Sequence, residues 1–217
     1  MLLLFFNPQG PPLPVGINVG DVLQRLLPAL GCYRMADLTH WTEEELYEYA
    51  DEAVKRLARG VGMFTERDAT TTVVGGTATY PTPTRHLSTI HASLGGANLR
   101  PAKVRELEAL DATWQDTSGT PDRYVPDFQG TEQVRLYKKP AAGGTLVFLL
   151  YQYPAEVAQG SPTLTAPSPL EDYLTWAILA QARAKEGDAA MPEVAEHAAQ
   201  RVKQFDQLCA AQWGVAR

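Results

Sequence analysis

The chain has 217 residues and a mass of 23.7 kDa, with 45% hydrophobic and 20% charged residues, enough to bury a real core and too apolar for wholesale disorder. Nineteen bases against twenty-five acids leave a net charge of −6, which excludes a nucleic-acid grip built on bulk basic charge and adhesion to an anionic membrane. Cys32 and Cys209 are far apart and belong to no CxxC pair, so neither a disulfide scaffold nor a zinc knuckle is expected.

The first six residues, Met1 to Phe6, are apolar and then break at Asn7-Pro8. They lack the basic n-region and longer apolar core of a secretory signal, and read as a short strand or docking arm. No stretch approaches the roughly 18 apolar residues of a membrane span. Residues 7–18 carry four prolines and read as an extended arm.

A short helix is expected next, with Val19, Val22, Leu23, Leu26 and Leu27 on one face and Gly31 as its C-cap; Pro28 should kink or shorten it. Thr42-Glu43-Glu44-Glu45 spells a capping box. Behind it Leu46, Tyr49, Ala50, Ala53, Val54 and Leu57 recur at helical spacing to about Arg59, with acids in the first turn and bases in the last. Residues 36–60 hold seven acids against three bases, as a solvated helix face would.

From about residue 61 the period shifts towards two. Three glycine pairs, Gly75-Gly76, Gly95-Gly96 and Gly143-Gly144, each lie between β-branched or apolar runs and predict three hairpins. A short helix is expected within 101–110. Residues 158–169 read as a connection, and Ser168-Pro169-Leu170-Glu171 as a second capping box with proline at N1. Leu170, Tyr173, Leu174, Ala177, Ile178 and Ala184 make one apolar stripe. After a turn at Gly187-Asp188, Val194, Ala195, Ala198, Val202, Phe205, Leu208 and Cys209 make another, and the two helices should pack as a hairpin.

The expected fold class is therefore α+β. A discontinuous helical bundle, residues 19–60 and 165–217, should carry an inserted antiparallel β-sandwich or barrel-like module at 61–164, with residues 1–18 as an N-terminal arm. The terminal helices must meet, because short amphipathic helices are not stable alone in water.

Catalytic patterns are absent. His40, His86, His91 and His197 show no metal-ligand spacing, and there is no GxSxG, Walker or GxGxxG motif. Each glycine pair lies between strands rather than before a helix, which disfavours phosphate cradling. No cofactor or metal and no enzymatic activity are expected. Trp114, Tyr124, Phe128, Tyr137, Tyr151 and Tyr153 form either the core of the strand-rich region or a sugar-stacking face.

Three stretches, taken in order along the chain, carry a resemblance. They are Leu107 to Trp114 (LEALDATW) with Gly119-Thr120-Pro121 and Tyr124; Val134 to Tyr137 with Pro140 and Tyr151-Gln152-Tyr153-Pro154; and Tyr173 to Ala184 (YLTWAILAQARA) with Ala198 to Phe205. Over residues 20–213 the chain resembles the head-to-tail adaptor (connector, neck or gatekeeper) proteins of tailed bacteriophages. That resemblance implies a structural virion protein that forms a ring, typically of twelve subunits, beneath the portal. The ring extends the DNA channel and docks the next neck or tail component, and genomic DNA passes without specific binding. It also implies a portal-facing C-terminal segment including Phe205, Leu208, Trp213, Val215 and Arg217. The hairpin tips at Gly75, Gly76, Gly95, Gly96, Gly143 and Gly144 would then face neighbours or the tail. A mildly acidic chain suits a channel through which DNA slides, since strong Lys and Arg contacts would hold it. The competing readings are a receptor- or carbohydrate-binding accessory module of a tail or baseplate, which requires an exposed Trp114, and a hydrolase with convergent ionisable groups in a cleft.

Overall fold

The computed structural model describes residues 14–130, 132–185 and 191–214. Met1–Phe6, the turn at Gly187-Asp188, Val215 and Arg217 lie outside the described residues. Two compact units divide the chain. One holds the described residues up to Met63 and from Pro154 onward, and the other is Phe64–Tyr153. The chain is α+β, with five α-helices and a curled seven-stranded sheet among the described residues.

The first unit opens with strand β1 (Pro14–Asn18) and helix α1 (Val19–Leu30). Asn18 caps α1, its side-chain oxygen accepting from the Gly20 N–H at 2.9 Å. The helix closes in a Schellman motif: Gly31 sits at φ 83°, Cys32 N–H donates to Leu27 O at 2.9 Å, and Gly31 N–H to Pro28 O at 3.1 Å. Pro28 falls in the last turn, so the helix keeps its full length. Helix α2 (Glu43–Gly60) starts at the Thr42–Glu45 capping box, whose two bonds measure 3.1 and 2.8 Å. Its buried stripe includes Tyr47 in place of the expected Tyr49, which is half-buried.

The second unit contains β2 (Thr65–Val73), β3 (Thr79–Pro81), β4 (His86–Leu94), β5 (Ala97–Pro101), α3 (Val104–Leu110), β6 (Ser118–Gly119), β7 (Arg123–Val125), β8 (Gln133–Tyr137), β9 (Lys139–Pro140) and β10 (Gly144–Gln152). The sheet order is β2-β10-β4-β5-β7-β8-β3, and β6 pairs with β9 separately. The pairs β5–β7 and β6–β9 are parallel, so the expected wholly antiparallel module is corrected to a mixed one. The edges of the main sheet approach one another where the Thr71 hydroxyl of β2 donates to the Pro81 carbonyl of β3 at 3.1 Å.

Only one of the three expected hairpins forms. Gly95 and Gly96 both have positive φ (57° and 82°), the signature of a type I′ turn, whose twist matches the β4–β5 pair. Around Gly75-Gly76 only Gly76 is left-handed (φ 81°), and Thr77 N–H bonds Val74 O at 3.2 Å. That is type II geometry, which splays strands, and β3 leaves to pair with β8. After β8, Lys138 turns the chain at φ 65° and β9 pairs with β6, so β8 and β10 do not meet.

Strand β10 is apolar along almost its whole length and lies between β2 and β4; β2, with Glu66, Arg67, Asp68 and four threonines, takes an edge. A bulge there places Arg67 and Asp68 (φ 60°) opposite Leu149, which disrupts the exposed edge as an addition site. The core combines Leu146, Phe148 and Leu150 with Tyr80, Ala92, Leu99, Tyr124, Val134 and Leu136. A second cluster joins Leu107 of α3 to Trp114, Val125 and Tyr137.

The chain re-enters the first unit through β11 (Thr163–Pro167), helix α4 (Leu170–Ala184) and helix α5 (Pro192–Trp213). The expected connection thus contains a strand, paired antiparallel with β1 in the register Ile17↔Leu164. The second capping box does not form. Pro169 itself is the N-cap, and the first turn is closed by Glu171 N–H to the Ser168 carbonyl at 3.1 Å, leaving the serine side chain no capping role. Helix α4 touches α1, α2 and α5. The Trp41 indole N–H donates to Ala182 O at 3.0 Å, the Arg183 guanidinium to Ala29 O at 2.5 Å, and Lys185 Nζ to Glu45 at 2.7 Å. On α5, Val194 (37% exposed) and Leu208 (44%) leave the expected stripe; Ala195, Ala198, Val202, Phe205 and Cys209 stay buried.

Candidate functional site

The three glycine pairs, distant in sequence, converge at one end of the sheet. The register pairs Val73 with Gly144 and Leu94 with Leu146. Gly95 N–H donates to Thr145 O at 3.3 Å, and Gly76 N–H to Pro140 O at 2.8 Å. All six glycines are exposed, with Val74 (59% exposed) beside them. Two of them also permit close backbone approach. A Cβ on Gly75 would lie 2.8 Å from the Ala141 carbonyl oxygen, and one on Gly143 3.0 Å from Val73 O. Gly75→Ala is therefore expected to cost about 1–3 kcal/mol in chemical denaturation, because backbone rather than a flexible side chain must move. Gly160→Ala, with nothing within 4 Å of the added atom, serves as a near-neutral control.

Trp114 is 3% exposed. Its ring meets Phe128 edge-on at 6.0 Å, and the Arg135 guanidinium lies 5.0 Å from the Trp114 centroid and 5.1 Å from that of Phe128. Arg135 also donates to Thr79 Oγ1 at 3.1 Å and to Gln115 O at 2.7 Å. Burial lowers its pKa, with Asp116 opposing. Tyr124 and Tyr137 are buried as well, while Tyr151 and Tyr153 are half-buried. Trp114, Tyr124 and Tyr137 are core, and with Trp114 buried the carbohydrate-binding reading loses its main support. Arg135 carried no signal in the sequence, since the residues that clamp it come from separate loops.

In the C-terminal segment, Phe205 is 5% exposed and packs edge-on against Tyr173 at 6.3 Å, Leu208 is exposed and Trp213 half-buried. Beneath them Tyr173 links α4 to α2: its hydroxyl donates to Ala53 O at 3.3 Å and accepts from Arg56 at 3.3 Å. Burial pushes Tyr173 up to about 12 and, with the Asp206 charge, Cys209 up to about 11, so this thiol is an inert core group. Burial also raises the Asp206 carboxyl, against the pull of Arg56 and Tyr173. An acid with a raised folded pKa is penalised wherever it is ionised in both states. As pH falls it takes up a proton before the unfolded chain does, and the penalty is relieved until the ordinary value of 3.8 is passed. Asp206→Asn should therefore be most stabilised relative to wild type at neutral pH, with an advantage that shrinks towards about pH 4. Glu45, held below its ordinary value by Lys185, responds in the opposite sense but cancels in that comparison. A pH-independent difference in unfolding free energy would contradict it.

The first unit also bears an open groove of about 790 Å³ between α2 and residues 156–160. Glu44, Glu48, Asp51, Glu52 and Glu156 line it with Lys55, and neither histidine nor cysteine does. Asp51 is committed to Lys55 Nζ at 2.5 Å and to the Val157 N–H at 3.0 Å. His86 and His91 share β4 while His40 and His197 lie in the other unit, and among the described residues no three His, Cys, Asp or Glu side chains are grouped to hold a metal ion. Both cysteines are free, and no described helix is long and apolar enough to cross a membrane.

The family model for the SU10 adaptor protein matches residues 17–216, running through both units. The chain is a phage structural adaptor, and it belongs to that family of head-to-tail adaptors. No curated protein matches it. Membership makes it a virion component that contacts other head or tail proteins.

Proposed function

We propose that the chain forms a ring beneath the portal at the capsid vertex, extends the DNA channel and docks the next neck or tail protein. The observation that carries this reading is the adaptor-family match over residues 17–216. Two features support it. Helices from both chain ends meet, α1, α2 and α5 packing around α4 as in a discontinuous helical bundle, and a contiguous sheet unit interrupts them in sequence. Residues 64–153 carry nine acids and nine bases, so the net charge of −6 resides outside them.

In this reading the helical part, through Leu208, Trp213 and the residues that follow to Val215 and Arg217, faces the portal, with Phe205 holding α5 in place. The glycine tips at 75–76, 95–96 and 143–144 face a neighbouring copy or the tail. DNA passes a wall without clustered cations, so no strong phosphate contacts retain it. The copy number is twelve and the downstream partner a neck or tail protein. Sizing the purified chain with and without portal tests the proposal. The expected result is a small species alone and a ring-sized mass gain with portal; an unchanged mass would overturn it.

A further inference from the structure

Residues 1–6, Met-Leu-Leu-Leu-Phe-Phe, carry no polar side chain, and they gain by burial against any apolar face within reach. The strand register fixes where that run is tethered. Pro14 pairs with Pro167, and because β1 and β11 are antiparallel, the chain before Pro14 heads towards the start of α4. Helix α5 runs antiparallel to α4: Met191 N–H donates to Arg183 O at 3.1 Å at one end, and Phe205 meets Tyr173 at 6.3 Å near the other. Continuing that alignment sets Leu208 opposite Leu170, the first residue of α4.

Leu208 is 44% exposed. The other exposed large apolar residues described in this unit are Tyr33, Met191 and Val194. They belong to the far end of α4, where Ala29 O and Met191 N–H both bond Arg183. On α5, His197, Arg201, Gln204 and Leu208 recur at the spacing of one helix face. Trp176 of α4 borders that face, its ring 5.7 Å from His197 and 6.0 Å from the Arg201 guanidinium. Trp176 is half-buried, and exposed Asp172 marks the edge of the seam.

The path from Pro14 across the ladder, along residues 167–170 and over to α5 is roughly 25 Å. The chain from Pro14 back to Phe5 can span roughly 28 Å, and Pro8, Pro11 and Pro12 favour extended backbone there. We infer that the α4–α5 seam around Leu208 and Trp176 is the docking site of the chain's own residues 2–6. So short a tether gives the arm an effective concentration in the millimolar range, which favours its own copy over another. The inference stands apart from the ring reading, which turns Leu208 towards the portal. Where both hold, the arm shields Leu208 until the portal takes its place.

Crosslinking of the full chain tests it. Asn7→Cys and Gln204→Cys are combined with Cys32→Ser and treated with a short bismaleimide; Cys209, buried and with its thiol pKa pushed up to about 11, stays unreactive. The expected product is a single chain linked between positions 7 and 204, read by intact mass and peptide mapping. Leu208→Glu and Leu4→Glu are each expected to lower the linked fraction about tenfold, since each sets an unpaired carboxylate in an apolar contact. Leu208 is exposed, so folding tolerates the change. Lys203→Glu, also exposed but about 140° around α5 from Leu208, should leave the fraction unchanged. No link, a link that both glutamate variants form as readily, or a link only between two chains would overturn the inference. The link is read without portal, so its loss leaves the ring reading standing; an unchanged mass on adding portal rejects the ring and leaves the docked arm in place.

Discussion

Phe148→Ala is expected to lower the unfolding free energy of the sheet unit by about 3–5 kcal/mol, the largest loss from any single truncation considered. Phe148 is 1% exposed and sits in the strand that pairs on one side with Ala69 and on the other with Ala92. Both cross-strand partners are small, so the ring fills space that neither can close over once it is gone. The lost transfer free energy therefore adds to an uncollapsed cavity. Leu149→Ala is the matched control. Its side chain lies on the opposite, half-buried face, and removal should cost no more than about 1.5 kcal/mol. Hydrogen exchange at amides of residues 64–153 reads the effect in that unit alone. Equal losses for the two variants would show that the two faces of β10 are packed alike.

Arg183→Ala should destabilise the helical unit by about 3 kcal/mol, since removing one partner of a buried charged hydrogen bond strands the other. Arg183 is 5% exposed, donates to Ala29 O at the C-terminal end of α1, and lies 5.4 Å from the Trp41 ring centroid. Helix α1 has no basic residue in its own last turn, so α4 supplies the cation that its dipole favours there. Trp41 in turn donates to the Ala182 carbonyl, which makes the tryptophan, the arginine and both helix ends one connected unit. The thermal midpoint should fall by roughly 6–12 °C at 2–4 °C per kcal/mol. Arg183→Lys keeps the charge but neither the planar stack nor the forked donors, and should recover only part of the loss. Full recovery by lysine would reduce the role of Arg183 to charge alone.

Helices α1 and α2 were legible because their determinants lie within a few residues of one another. Periodic apolar positions, the Thr42–Glu45 box and the glycine at position 31 act locally, and all but Tyr49, which cedes its place to Tyr47, are found where the pattern places them. The same holds for the β4–β5 hairpin, where Gly95 and Gly96 both adopt the left-handed conformation that their turn requires. The adaptor family was legible too, from the order of weak motifs along one chain, and the family match spans the same region.

Strand partners were another matter. Gly75-Gly76 and Gly143-Gly144 look like hairpin turns in isolation, yet β3 pairs with β8 and β10 lies between β2 and β4. A strand edge takes whichever partner offers the better packed face, and the competitors lie tens of residues away. The pairing of β1 with β11 joins segments about 150 residues apart, and the convergence of the three glycine pairs follows from strand order alone. The seats of Arg135 and Arg183 likewise exist only after distant segments have met. Amino-acid order by itself determined the helices, the glycine cap of α1 and the capping box of α2, one tight turn and the family, since those depend on neighbours along the backbone. Sheet order, the two unlike faces of β10 and the buried cations were decided by tertiary structure, because long-range competition for buried surface has no short-range signature.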